Sequence, residues 1–172
     1  MDFMDVCRER YSVRQFDPRP VEEDKLNQIL EAGRLAPTAC NYQPQRIYVV
    51  RSDETRAKLA SVTRMTYGAP VILLVCYDRN KSWKNTVKTF GEEYDGGEMD
   101  ACIVGTQMMN MATELGLGTL WARGFSAKQI HDVFDLPENI VVSFILDIGY
   151  PSERSVKGHT PRKPLSETVT EL

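Results

Sequence analysis

Residues 100–116 read DACIVGTQMMNMATELG and are the most informative part of the chain for its architecture. It predicts one long α-helix, from Met99 to Leu115. Apolar or small side chains fall on nearly every face of that helix: Ala101, Cys102, Ile103, Val104, Met108, Met109, Met111, Ala112 and Leu115. One side of a small sheet cannot cover them all, so a second surface must bury the rest. The helix is either central in a monomer or at a homodimer interface, and we favour the interface.

Helices and strands alternate on both sides of the long helix. Before it, we predict a short first helix, then a helix at Val21 to Leu35, a strand at Arg46 to Arg51, a helix at Glu54 to Val62 and a strand at Val71 to Tyr77 that is buried on both faces. Residues 78–97 form a polar loop. After it come the strand TLWAR, a short helix at Ala127 to Phe134, the strand IVVSFILDIGY and an irregular tail from Pro151. This order predicts an α+β fold with an antiparallel or mixed sheet flanked by helices.

Composition limits the number of domains and the class of partner. A chain of 172 residues with 42% hydrophobic residues predicts a single domain that covers residues 1–172. Acidic residues outnumber basic ones, 24 to 21, which argues against a nucleic-acid or anionic-lipid surface. No apolar run approaches the roughly 20 residues of a membrane span. We therefore expect a protein that binds neither nucleic acid nor membrane.

The four cysteines indicate a reducing compartment. Cys7, Cys40, Cys76 and Cys102 form no CxxC pair and lie far in sequence from both histidines, so we expect no metal site. Cys76 and Cys102 lie in apolar runs, where a reduced thiol acts as a small hydrophobic group. The N-terminus lacks the apolar segment of a secretory signal. These features predict a cytoplasmic protein.

Five motifs occur in one order along the chain: RYSVRQF, APTACNYQPQ, APVILLV, GLGTLWARGF, and GYP followed by RKPLSE. Together they resemble the FMN-dependent nitroreductase family over nearly the whole chain. The resemblance implies a nitroreductase-like α+β fold and an obligate homodimer with one FMN in each of two interface sites. It also favours the interface position for the long helix.

The first motif offers groups that suit the phosphate of FMN. Guanidiniums form bidentate bonds to phosphate, and a serine hydroxyl adds a neutral donor. From the residues alone, a solvated run of surface charge is the alternative. The resemblance assigns Arg10 and Ser12 to the phosphate, includes Tyr11 among the cofactor-binding residues, and places Arg14 toward the ring and ribityl chain. Arg8 has no family role and is expected at the surface.

The C-terminal motif adds a further positive group. The resemblance implies that Arg162 binds the same phosphate. Many relatives have a lysine two residues earlier, where this chain has Thr160, so one cationic contact is either lost or replaced by a hydroxyl or by His159. Lys163 is expected to face solvent.

The second motif supplies amide and hydroxyl groups for the flavin. Asparagine and glutamine amides can pair with the uracil-like edge of the ring and with the ribityl hydroxyls. The resemblance implies that Thr38 and Asn41 reach the flavin of the partner subunit. From the residues alone, an ordinary loop is the alternative.

The fourth motif implies contacts at the reactive part of the ring. In the family, the backbone amide at the position of Gly124 faces flavin N5, and Ala122 and Arg123 lie beside it. Arg123 stands where some relatives carry a glutamate, which changes the charge near the reacting edge. Arg64 falls where the family has a lysine near N1 and O2, and a cation there favours the anionic reduced ring. From the residues alone, a solvent-exposed arginine is the alternative.

The resemblance implies an NAD(P)H-dependent oxidoreductase that reduces nitroaromatic or quinone-type acceptors by ping-pong hydride transfer through flavin N5. The cofactor carries this chemistry, so we predict no catalytic side chain. Two alternatives remain: a flavin-binding storage or sensor protein without efficient turnover, and an enzyme of the same fold with other redox chemistry. The loop at 78–97 either packs its aromatic residues as anchors or forms a lid over the flavin with Trp83, Phe90 and Tyr94.

Overall fold

The structure is a computed structural model that describes residues 1–89, 92–158 and 160–172. Its α-helices are α1 Phe3–Glu9, α2 Glu23–Arg34, α3 Asp53–Val62, α4 Gly97–Glu114 and α5 Ala127–Phe134. Its strands are β1 Gln45–Val50, β2 Val71–Asp78, β3 Lys84–Thr89, β4 Glu92–Asp95, β5 Gly118–Ala122 and β6 Ile140–Gly149. The predicted α+β class is confirmed.

The main sheet has four antiparallel strands in the order β1, β2, β6, β5. All eight residues of β2 are buried, which agrees with the predicted strand covered on both faces. One face packs against α2 and α4 through residues such as Ile29, Met108 and Phe144. The other face packs against α3 and α5, where Leu59 and Ile130 are fully buried. The sheet therefore has a separate hydrophobic core on each side.

Helix α4 packs closely on the sheet and on α2 because two glycines leave room for large side chains. A Cβ atom on Gly105 would lie 2.2 Å from Cζ of Phe144, and one on Gly33 would lie 2.8 Å from Cγ of Met108. The other side of α4 leaves Met99 and Ile103 51% and 40% exposed. One chain therefore does not cover all of the apolar surface of this helix.

The predicted loop at 78–97 is wrong in part, because β3 and β4 pair antiparallel within it. At the base of this hairpin, Gly96 N donates to the carbonyl oxygen of Trp83 at 2.8 Å. The ring of Trp83 packs at Gly96, where a Cβ atom would lie 3.2 Å from Cε3. Tyr94 is 40% exposed. Phe90, the third aromatic residue of the predicted lid, lies outside the described residues.

The described ranges also bear on the expectations about membranes and metals. Within those ranges, no helix combines the length and the apolar character that crossing a bilayer requires. The same residues contain no group of three or more His, Cys, Asp or Glu side chains placed to hold a metal ion. Cys76 is buried as predicted, whereas Cys102 is only half-buried.

Candidate functional site

The first motif lies along the outer edge of β5. Ser12 forms a parallel bridge with Thr119, and Val13 N donates to the carbonyl oxygen of Thr119 at 2.9 Å. Val13 is fully buried. Because side chains alternate along an extended segment, Ser12 and Arg14 point away from the core contact that Val13 makes. The edge of the sheet thus presents a hydroxyl and a guanidinium together.

Arg10 and Arg162 come together although 152 positions separate them in the sequence. Burial and then the positive charge of Arg162 lower the pKa of Arg10. Within the described residues, no carboxylate forms an ion pair with Arg10. Arg162 Nη1 donates to the carbonyl oxygens of Thr160 and Pro161 at 2.9 and 3.0 Å. An anion bound by both guanidiniums would offset their repulsion, so this pair fits a phosphate group.

A cavity of about 220 Å³ lies at Ser12 and Arg14. Its walls come from two parts of the chain: Ser12, Arg14, Gln15, Arg154, Ser155 and Val156. Tyr11 is tied to the second part, because its hydroxyl donates to Oγ of Ser155 at 3.3 Å. The sequence analysis missed Arg154. The one feature of the sequence that could have indicated it is its position as a cation shortly after the GYP motif. His159, considered as a substitute for the missing lysine, lies outside the described residues.

Arg8 and Lys163, the two cations that the sequence analysis expected at the surface, are found there. Arg8 pairs with Asp5 at 3.2 Å and its side chain is 66% exposed. Lys163 pairs with Glu167 at 3.0 Å and its side chain is 73% exposed.

The second motif forms a tight turn with left-handed backbone. Cys40, Asn41 and Gln43 have φ angles of 50°, 56° and 50°. Thr38 stabilises the turn, because its carbonyl oxygen accepts from Asn41 N at 2.9 Å and its Oγ1 accepts from Gln43 N at 3.1 Å. Left-handed backbone outside glycine is costly and tends to occur at functional sites. The turn lines neither the cavity at Ser12 and Arg14 nor a second cavity at Arg64, Arg123 and Gly124.

The same turn is attached to helix α4 by a buried carboxylate. Oδ1 of Asp100 accepts from Ala39 N at 2.8 Å, and Asp100 is 2% exposed. The long helix therefore helps to fix the position of the turn.

A larger cavity, of about 650 Å³, brings Arg64 together with Arg123 and Gly124. These residues come from the segment after α3 and from the end of β5. Arg123 Nη1 donates to Oε1 of Glu98 at 2.6 Å, and the side chain of Arg123 is 59% exposed. A Cβ atom on Gly124 would lie 3.1 Å from the side chain of Met65. Ala122 does not line this cavity, and its side chain packs in the core.

Strand β5 connects the two cavities. Thr119, beside Ser12, and Arg123 are four residues apart, which corresponds to about 13 Å along a strand. An elongated ligand with an anion at one end and a planar ring at the other suits this spacing.

Comparisons with known proteins identify the family of this chain. The model of the nitroreductase family matches residues 7–66 and 63–150. A nitroreductase family protein from Clostridium difficile is 36% identical, with a TM-score of 0.90 over 99% of this chain and 98% of that one. The FMN reductase [NAD(P)H] of Bacillus subtilis is 30% identical over 168 residues, 89% of this chain and 66% of that protein.

A further solved structure contains the cofactor. It comes from Desulfovibrio desulfuricans, is in complex with FMN and is 29% identical, with a TM-score of 0.80 over 100% of this chain and 97% of that one. The family model alone covers most of this chain. The chain belongs to the nitroreductase family.

Proposed function

We propose that this chain forms a homodimeric oxidoreductase that transfers electrons from NADH or NADPH through FMN to nitroaromatic or quinone-type acceptors. The enzyme class and the cofactor have direct support: the chain is an NAD(P)H-dependent flavin oxidoreductase with FMN as its cofactor. The observation that carries the proposal is the pair of guanidiniums, Arg10 and Arg162, together with Ser12, which follows Arg10 by two residues and bridges to the edge of β5.

The phosphate end of FMN belongs at this pair in our proposal. Arg10 and Arg162 bind the phosphate oxygens, and Ser12 donates its hydroxyl hydrogen to them. Tyr11 fixes Ser155 beside the cavity at Ser12 and Arg14 through its hydroxyl group. Arg14 lines that cavity and adds a cation toward the ribityl chain.

The ring end belongs in the larger cavity, four residues further along β5. Gly124 allows a close approach because it has no side chain, and its backbone N–H is the proposed donor to N5. Ala122 and Arg123 present backbone atoms beside it. Arg64 places a positive charge on the same wall, which favours an anionic reduced ring.

The bound cofactor supplies the redox chemistry, a two-electron transfer in two successive half-reactions at one site. The protein side chains then need only to bind, orient and exclude water. This is why we assign no catalytic side chain.

The exposed surface supports a homodimer. The chain exposes 10538 Å², whereas a compact monomer of 19.5 kDa exposes about 8,500 Å². The excess of roughly 2,000 Å² is similar to one subunit's share of a large obligate interface. Met99 and Ile103 of α4 and Leu165 of the C-terminal tail are exposed apolar residues that such an interface would cover.

The left-handed turn also fits a dimeric site. Thr38 and Asn41 line neither of these two cavities of their own chain. In our proposal they bind the flavin of the partner subunit, so each site needs both subunits. The hairpin of β3 and β4 is the proposed lid, with Trp83 anchoring its base and Tyr94 exposed for stacking on an acceptor. The single domain at 1–172 and the cytoplasmic location stay predictions.

Spectroscopy on the purified protein tests the function. We expect a yellow protein whose flavin absorbance bleaches anaerobically with NADH or NADPH and returns when a quinone is added. A protein that takes up no added FMN would contradict the proposal. Flavin that binds but is neither reduced nor reoxidised would indicate the storage or sensor alternative.

A further inference from the structure

Asp100 is a buried acid whose hydrogen-bonding capacity the fold uses only in part. It lies in the first turn of α4 and is 2% exposed. Its Oδ1 accepts from Ala39 N at 2.8 Å, whereas Oδ2 is buried and has no hydrogen-bond partner within the described residues. Burying a carboxyl group with one oxygen unpaired costs free energy that a single hydrogen bond returns only in part. Folding stability alone therefore does not account for an acid at this position.

The hydrogen bond of Asp100 ends at the left-handed turn of the second motif. Ala39 directly precedes Cys40 and Asn41, whose φ angles are 50° and 56°. Backbone of this kind is costly and persists only where the surrounding structure holds it. Thr38 holds the turn from within, and Asp100 holds it from a different element. Asp100 thus fixes the turn relative to α4.

The turn and the adjacent part of α4 present a surface that one chain leaves uncovered. Asn41 is exposed, and Tyr42 is 55% exposed. Met99, next to Asp100 in α4, is 51% exposed. In the proposed function this surface faces the partner subunit, and Thr38 and Asn41 bind the flavin there.

We propose that Asp100 is a positioning residue for the flavin of the partner subunit. Through Ala39 it holds the turn in the geometry in which Thr38 and Asn41 bind that flavin. Asp100 lines neither the 220 Å³ nor the 650 Å³ cavity of its own chain, so it acts through the turn. The proposal rests on the proposed function, because it needs a dimer with shared sites.

Fluorescence titration of the FMN-free protein with FMN tests the hydrogen bond. Asp100→Ala removes the acceptor for Ala39 N, and we expect it to weaken FMN binding at least about tenfold. Asp100→Asn keeps an oxygen that can accept from Ala39 N, so its affinity should stay within about threefold of the parent. The control is Asp132→Ala, which removes an exposed acid of α5 and should leave the affinity unchanged.

Three outcomes of the titration would contradict the proposal. Parent-like affinity in Asp100→Ala would show that the turn does not need the bond. Equal losses in both Asp100 variants would show that the bond to Ala39 is not what matters, and an equal loss in Asp132→Ala would reduce the effect to general electrostatics. Urea denaturation of the FMN-free protein should find Asp100→Ala about as stable as the parent, whereas a large loss of stability would indicate a merely structural role.

A heterodimer of one Arg10→Ala subunit and one Asp100→Ala subunit identifies the site that Asp100 serves. The two chains are coexpressed with different tags, and the heterodimer is purified. Arg10 is proposed to bind the phosphate in its own chain's site. If Asp100 acts across the interface, one site carries both changes and the other site carries neither. We expect one FMN per heterodimer to bind with the affinity of the parent, and no such site in either variant homodimer.

A heterodimer without a tight site would overturn the proposal, because Asp100 would then serve its own subunit. Light scattering should show Asp100→Ala as a dimer. A monomeric variant would mean that the acid acts through assembly, which also refutes a positioning role. A parent protein that takes up no FMN, or that is a monomer, contradicts the proposed function instead.

Discussion

Arg10 and Asp147 are ionisable groups for which the described residues supply no partner of opposite charge. Arg10 is half-buried and has a second guanidinium nearby. Asp147 is fully buried on β6, and neither of its carboxylate oxygens has a hydrogen-bond partner. The position of Arg10 suits the binding of an external anion, whereas Asp147 is buried out of reach of any external ion. The two residues therefore lead to different experiments.

Arg10→Ala should weaken FMN binding by about 1.5–3 kcal/mol, because a charge-assisted bond to phosphate is lost. Ser12→Ala should cost less, since its hydroxyl is a neutral donor. A fluorescence titration of the apoprotein with FMN measures both effects. Arg8→Ala is the matched control, because Arg8 is exposed and already paired with Asp5. Unchanged affinity in both site variants would refute the phosphate assignment.

Asp147 should make the protein less stable as the pH rises. Burial raises the pKa of Asp147 from 3.8 to about 8. Between these two values the folded state keeps a proton that the unfolded state releases, so the free energy of unfolding falls with increasing pH. A shift of this size corresponds to about 6 kcal/mol across the whole window.

Asp147→Asn should remove this dependence, because an amide does not ionise. The stability difference between the variant and the parent should grow in favour of the variant from pH 4 to pH 8. Urea denaturation at several pH values measures it, with Asp132→Asn at an exposed site as the control. A constant difference across this range would contradict a raised pKa.

Sequence reasoning found some of these residues and missed others for a physical reason. Arg10, Ser12 and Arg14 lie within five positions, so a local motif reveals them. Arg154 lines the same cavity as Arg14 only because the chain after β6 returns to the N-terminal segment. The isolation of Asp147 depends on the cross-strand neighbours Ile72 and Leu120. Neither the proximity of Arg154 to Arg14 nor the isolation of Asp147 can be read from a short stretch of sequence.

At the scale of elements, α4 depends on a close contact with the sheet. Gly105 lies over the stacked rings of Trp121 and Phe144, whose centroids are 3.5 Å apart. A methyl group at this position would overlap Phe144 and come within 2.9 Å of Trp121. The packing leaves no space for a larger residue.

Gly105→Ala should lower the free energy of unfolding by about 1–3 kcal/mol, the usual cost of overpacking a core. The gain in helix propensity offsets only part of it. Gly158→Ala is the control, since a Cβ atom there meets nothing within 4 Å. Thermal or urea denaturation that finds the Gly105 variant as stable as the parent would show that the helix can shift away.

The contrast between α4 and the β3–β4 hairpin shows what the sequence could predict. Helix α4 was located within two residues at each end, because its apolar residues continue through five turns. The hairpin strands read KNTVKT and EEYD, which have no apolar alternation. Their pairing depends on backbone hydrogen bonds and on the contact of Trp83 with Gly96. Because the two strands lack an apolar alternation, their composition resembles that of a loop.

For the whole molecule, the homodimer is the prediction that connects the fold to the site. Ile103→Glu places a carboxylate on the exposed apolar side of α4, and burying it at an interface is costly. We expect a monomer in light scattering and a loss of bound FMN, because Thr38 and Asn41 of the partner would be absent.

Lys128→Glu, on exposed α5, should leave the dimer intact and serves as the control. A parent protein that is monomeric and flavin-loaded at micromolar concentration would contradict both the interface and the shared site.

The pairing of the N-terminal segment with β5 has a consequence for aggregation. A strand at the edge of a sheet can pair with a strand of another molecule, and natural proteins cover such edges. Here Ser12 and Val13 cover the outer edge of β5 at Thr119. The segment proposed to bind the phosphate therefore also protects the edge of β5 from pairing with another molecule. Loss of FMN would weaken the pairing of this segment with β5. The FMN-free protein should therefore form intermolecular β-structure more readily than the FMN-bound protein.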